Sequence, residues 1–268
     1  MKPTQLASAI AGAFLLISNA SAADLVSTSF TVGFGDTRST APAAGLKSTS
    51  SSGALSLTYA LEDSWLVTGV AALSTSKVTL SSDDSRKNAE AIAGGVVGTK
   101  TLSAGMAMNI SALYGDVKIN STPLTGSDYS SKSNSLNLGI GLVQAVVTGK
   151  SSMASFSANV VYTDSDGDAY TDGTGTVVAG NANQQTKLTL GASHSWLLGE
   201  WRPSANLSYT FASREATPDS GDKEYFNWGF GVTKQLAGKS SIGLSFSTVA
   251  NKQFAKEDYL SISYVRGF

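Results

Sequence analysis

The sequence predicts an all-β protein, a transmembrane antiparallel up-and-down β-barrel of about twelve strands. Three observations carry that expectation. Apolar and small polar residues alternate with period two through most of the chain, the connections alternate between very short and long, and the last strand is amphipathic to its final residue, in "YLSISYVRGF".

The chain opens on MKPTQLASAIAGAFLLISNASAADL, with Lys2 ahead of an apolar stretch from about Leu6 to Ile17 and Ala20-Ser21-Ala22 as a small-residue cleavage site. Residues 1–22 therefore read as a signal peptide, and residues 23–268 as one barrel domain without a linker or composition break. Cysteine is absent, so disulfides, thiolate metal sites and Cys nucleophiles are excluded. The net charge of −1 is scattered, which argues against nucleic acid as a partner. Past the signal peptide no run of about 18 apolar residues occurs, so a membrane crossing would have to use strands.

The predicted strands run near 26–35, 53–61, 65–75, 89–99, 102–115, 134–147, 152–163, 185–197, 200–212, 224–236, 240–249 and 258–268. "WRPSANLSYTF" is the clearest: Trp201, Pro203, Ala205, Leu207, Tyr209 and Phe211 share one face, and Arg202, Ser204, Asn206, Ser208 and Thr210 the other. In the third and fourth strands Ala and Gly blur the parity. Tight turns are expected at "LEDS", "GTKT", "TGKSS", "LLGEW" and "LAGKSS", and long loops near residues 36–52, 76–88, 116–132, 164–184, 213–223 and 250–257. "TGKSSMASFSANV" echoes "AGKSSIGLSFSTV", which reads as two similar hairpins; neither is a phosphate-binding loop, because Gln144 and Thr233 stand where that motif requires Gly.

A bilayer core offers backbone groups no partners, so a spanning sheet must close on itself. Aromatic residues sort accordingly: Trp65, Trp196 and Trp201 abut short turns, whereas Tyr114, Tyr162, Tyr209, Phe211 and Phe226 lie beside long loops, as two interfacial girdles would require. The opposite parity gives the lumen. Asn109, Asn137, Asn159, Asn206, Ser208, Asn227 and Gly229 are small and neutral, and Lys187 and Arg202 are the cationic exceptions. Eight strands give an interior that side chains just fill, so about twelve lined this way should leave space for water or a folded-in loop.

Little in the sequence suggests catalysis, and no cofactor motif is present. His194 is the single histidine; its parity points it to lipid near a short turn, while Ser195 points the other way. The loop "DSDGDAYTDGTG" brings Asp164, Asp166, Asp168 and Asp172 close in sequence, a weak candidate for a hard cation. It is not an EF-hand, since Ala169 and Gly175 stand where that loop needs Gly and Glu.

The final strand resembles the C-terminal assembly signal of Gram-negative outer-membrane proteins: Leu260, Ile262, Tyr264 and Phe268 match it, and Arg266 departs from the apolar or aromatic residue commoner there. The resemblance implies a bacterial outer-membrane location, lipid and lipopolysaccharide as surroundings, and the barrel-assembly machinery as a partner. The expected function is a narrow, weakly selective, porin-like channel for small solutes. The chain is also similar to autotransporter translocator barrels, which have twelve strands and an aromatic last strand; only about seven residues, "ADLVSTS", separate the cleavage site from the alternating stretch. A surface-interaction protein using its long loops is the third expectation.

Overall fold

The computed structural model describes residues 24–39, 46–61, 64–80, 86–213, 223–250 and 255–268. Residues 1–22, read as a signal peptide, lie outside the described residues. The strands are β1 (Asp24–Ser39), β2 (Leu46–Ala60), β3 (Trp65–Leu80), β4 (Arg86–Ser103), β5 (Met106–Thr122), β6 (Tyr129–Gly149), β7 (Ser152–Gly167), β8 (Tyr170–Thr171), β9 (Val177–Val178), β10 (Asn181–Trp196), β11 (Trp201–Ala212), β12 (Glu224–Leu236), β13 (Ser240–Ala250) and β14 (Ala255–Gly267). All but β8 and β9 pair with their sequence neighbours into a closed antiparallel barrel, and β1 meets β14 from Ser27↔Gly267 to Ser39↔Ala255. Closure leaves no strand edge to satisfy. The two short strands form a separate hairpin inserted between β7 and β10.

The twelve predicted strands correspond to the twelve barrel strands, but one turn is displaced and the strands run on into the expected long loops, with β1 reaching Ser39, β2 starting at Leu46, β3 reaching Leu80, β5 reaching Thr122 and β6 starting at Tyr129. The expected turn at "GTKT" is instead strand: β4 continues to Ser103, and the chain reverses at Ala104 and Gly105, where Gly105 takes φ 79°. Gly98 stays extended beneath the Trp65 ring. Near 238 the turn forms as expected, over residues 237–239 between the pair Leu236↔Ser240, with Gly238 and Lys239 at φ 71° and 59°.

This protein is inside out. Its largest apolar side chains lie on the outer face, with Phe230 55%, Ile140 53% and Phe30 51% exposed, whereas Ile92, Ala212 and Val249 are the buried hydrophobic residues among those described. So continuous an apolar belt is stable only where lipid covers it. The strands rise to different heights. β6 has 21 residues and β13 has 11. Each abuts a tight turn on the same rim, and the difference is about 33 Å along the strand. A tall wall (β4 to β7) thus faces a short one (β11 to β14).

Candidate functional site

The register puts Asn109, Asn137, Asn159, Lys187, Arg202, Asn206, Ser208, Asn227 and Gly229 all on the inner face, opposite Thr99, Thr163, Thr189, Val161, Thr233, Gly229, Gly191, Ser208 and Asn206 respectively. Inner polar groups pair with one another across strands. Thr99 Oγ1 donates to Asn109 Oδ1 at 3.0 Å and Thr163 Oγ1 to Asn137 Oδ1 at 2.7 Å. Hydroxyls meet at Ser29 and Ser56 (2.6 Å), Ser155 and Ser193 (2.8 Å), Thr189 and Thr210 (2.9 Å), and Ser245 and Ser261 (2.7 Å). These short side chains satisfy each other along the wall and so do not need to reach across the barrel. Asn159 lies over Gly141, where a Cβ would displace its amide.

One part of the lumen was not legible beforehand. Leu66, Val70, Val97, Leu113, Val117 and Ile119 face inward on β3 to β5, each opposite another inward residue, as Val70↔Gly95 and Gly95↔Leu113 show. They form an apolar strip down one side of a polar interior. The outer face of β3 and β4 has Gly69, Ala71, Gly94 and Gly98 among Trp65, Val67, Leu73, Ile92 and Val96, so apolar residues stand on both faces and the parity blurs there.

The four aspartates of the 164–175 loop do not converge. Asp164 and Asp166 stand on the outer face of β7 opposite Leu136 and Asn134, and Asp168 donates its backbone N–H to Lys132 O at 2.9 Å. Asp172 braces its own hairpin: Oδ1 accepts from Thr174 N at 2.9 Å, Thr174 Oγ1 at 2.7 Å and Thr176 N at 2.9 Å. Among the described residues no three acidic, His or Cys side chains are grouped to hold a metal ion. His194 points outward opposite Ala154 and Ala205, its ring 4.6 Å from that of Trp196.

At the rim of tight turns, Lys100 lies 5.5 Å from the Trp65 ring and Lys234 5.2 Å from Trp201. Leu260, Ile262 and Tyr264 continue the outer apolar rows opposite Phe34, Val32 and Phe30. Phe268 N donates to Val26 O at 2.9 Å, and Lys239 Nζ donates to Phe268 O at 2.9 Å. The guanidinium of Arg266 lies 5.3 Å from the Phe268 ring, so it shields that ring instead of adding to the apolar row.

A closed barrel of an even number of antiparallel strands, apolar outside and polar within, with one rim of tight turns, is a bacterial outer-membrane β-barrel. The chain belongs to the autotransporter β-domain family, whose profile matches residues 26–251. No curated protein sequence matches it. Solved structures share the fold at low identity. The translocator domain of the autotransporter NalP from Neisseria meningitidis matches with TM-score 0.77 at 10% identity, over 99% of this chain and 97% of that one. The β-domain of the Bordetella autotransporter BrkA gives 0.70 at 16%, over 91% and 100%. An outer-membrane channel of Pseudomonas putida F1 gives 0.57 at 14%, over 93% and 98%.

Proposed function

We propose that the barrel is a narrow, weakly selective passage for small hydrophilic solutes across the outer membrane. The observation that supports this reading is the twelve-strand wall on which many inner side chains are short, neutral and bonded to one another across strands, since a barrel of that strand number is wider than such side chains fill. With Lys187 and Arg202 as scattered inner cations, charge discrimination should be slight. In this reading small solutes are the cargo, outer-membrane lipid and lipopolysaccharide the surroundings, and the barrel-assembly machinery the route of insertion; no catalytic role is assigned.

Single-channel conductance in a planar bilayer tests it. Discrete steps are expected, reduced by Ser208→Trp and unchanged by Leu207→Trp, its outward neighbour. Equal effects at both positions, or silence from a folded sample, would reject the reading. Ser208 is a better probe than Gly229, where a Cβ would meet Phe246 O at 2.5 Å.

The apolar strip favours a second reading, in which the lumen accommodates a polypeptide segment, in keeping with the family and the likeness to the NalP translocator domain. A photo-crosslinking residue at position 113 would then capture polypeptide in whole cells, while one at 207 captures lipid. Capture of lipid alone, or of nothing, at 113 would reject it.

A further inference from the structure

Above the membrane belt the tall wall holds a cavity that neither reading uses. It measures about 470 Å3, within the span of roughly 300–1,000 Å3 common to small-molecule sites. Inner-face residues of four strands line it: Ile119 of β5, Ser131 and Ser133 of β6, Ser165 of β7 and Asn181 of β10, and Tyr170 of the inserted hairpin closes it. The register makes these one surface, since Ile119 pairs with Ser131 and Gly167 pairs with both Ser133 and Asn181.

The closing element is built to hold still. Tyr170 lies flat on Tyr129, with centroids 5.5 Å apart and planes at 3°. Ser127 N donates to Gly173 O at 2.8 Å, tying the β5–β6 loop to the hairpin. At that contact a Cβ on Gly126 would strike Gly173, and one on Gly173 would meet Ser127 O at 2.6 Å, so both glycines are needed for the backbones to approach. Asp172 braces the far end of the same hairpin. A rigid aromatic over a polar floor loses little entropy on binding.

The lining chemistry selects the ligand class. Serine hydroxyls and an asparagine amide each donate and accept, and the aromatic ring offers an apolar face. A sugar ring presents the complement, with hydroxyls around its edge and C–H bonds on its face. Of the charged residues that border the cavity, Lys132 and Asp166 turn to the outer face opposite Lys118 and Asn134, so no cation is aimed into it and an anionic ligand is disfavoured. A hydrocarbon would leave the hydroxyls unpaired. We propose that this cavity binds a neutral saccharide of one or two rings at the cell surface. The site lies at the mouth of the lumen, against its wall, and its test reads binding, whether or not the barrel conducts.

The test is saturation-transfer NMR with maltose on the full chain in a detergent without a sugar headgroup, with glucose 6-phosphate as the anionic comparator. Transfer to maltose is expected from the unaltered protein. It should fall by about fivefold in Asn181→Ala, the loss of one ordinary hydrogen bond, and vanish in Ser133→Trp, which fills the cavity from the barrel wall. Leu207→Trp, on the lipid face, should bind as before. Heat-modifiable gel mobility establishes that each variant is a folded barrel. Absence of transfer to maltose overturns the proposal, as does transfer that survives Ser133→Trp or that is matched by glucose 6-phosphate.

Discussion

Gly33 shows how a missing side chain ties three strands together. Tyr259 of β14 reaches inward across Gly33 of β1, and its hydroxyl pairs with Ser52 Oγ of β2 at 2.8 Å. A Cβ on Gly33 would fall inside the Tyr259 phenol. The closing seam is therefore held by a side chain as well as by its backbone ladder. Gly33→Ala should displace the ring and cost about 1–3 kcal/mol as an overpacked contact, and Tyr259→Phe about 1 kcal/mol for the hydrogen bond. Urea unfolding in detergent, followed by tryptophan fluorescence, measures both. If Gly33→Ala is neutral while Tyr259→Phe is not, the crossing is not what closes the seam. Nothing in the local sequence links these residues, since Ser52 and Tyr259 are 207 positions apart. Parity can say which face a residue takes; it is silent on which distant residue it meets.

At the scale of elements, the inserted hairpin turns a row of aspartates into scaffolding. The Thr174 hydroxyl, and after it the Thr176 N–H, hold the Asp172 carboxyl below its usual range. A lowered acid contributes its full share above the ordinary carboxylate value and loses it only as pH falls through the lowered one. The hairpin should therefore resist pepsin at about pH 3.5, just under the ordinary value near 3.9, and Asp172→Ala should be cut between Ala169 and Val178 under the same conditions. Equal cleavage of both proteins would mean the brace is idle.

Strands such as β11 and β12 were legible because large apolar residues mark their outer face at every second position. β3 and β4 were not, because Gly and Ala interrupt the apolar row on their outer face while Leu66, Val70 and Val97 turn inward. The turn after β4 was misplaced for a related reason. Gly98 serves close packing under Trp65, and only Gly105 supplies the positive φ that a reversal requires. The loop aspartates suggested a cation because sequence spacing does not show which carboxylates turn out on a strand and which cap a turn.

Taken whole, the molecule replaces a hydrophobic core with a hydrophobic coat, and its architecture was readable because that inversion extends through nearly every strand. The lumen was readable only in part, since its neutral polar half follows the alternation and its apolar strip does not. That strip makes the interior two-sided, polar along β10 to β14 and richer in apolar side chains along β3 to β5. An amphiphile passing through would travel in one orientation, with its greasy edge against the strip and its hydroxyls toward the polar side. Discrimination would then rest on how polarity is arranged within a solute, a property independent of its charge and nearly independent of its mass. Two hexanediols of identical formula make the contrast measurable in a liposome-swelling assay. The isomer with both hydroxyls at one end should enter faster than the isomer with one at each end, and equal rates would mean that something else already lies along the strip.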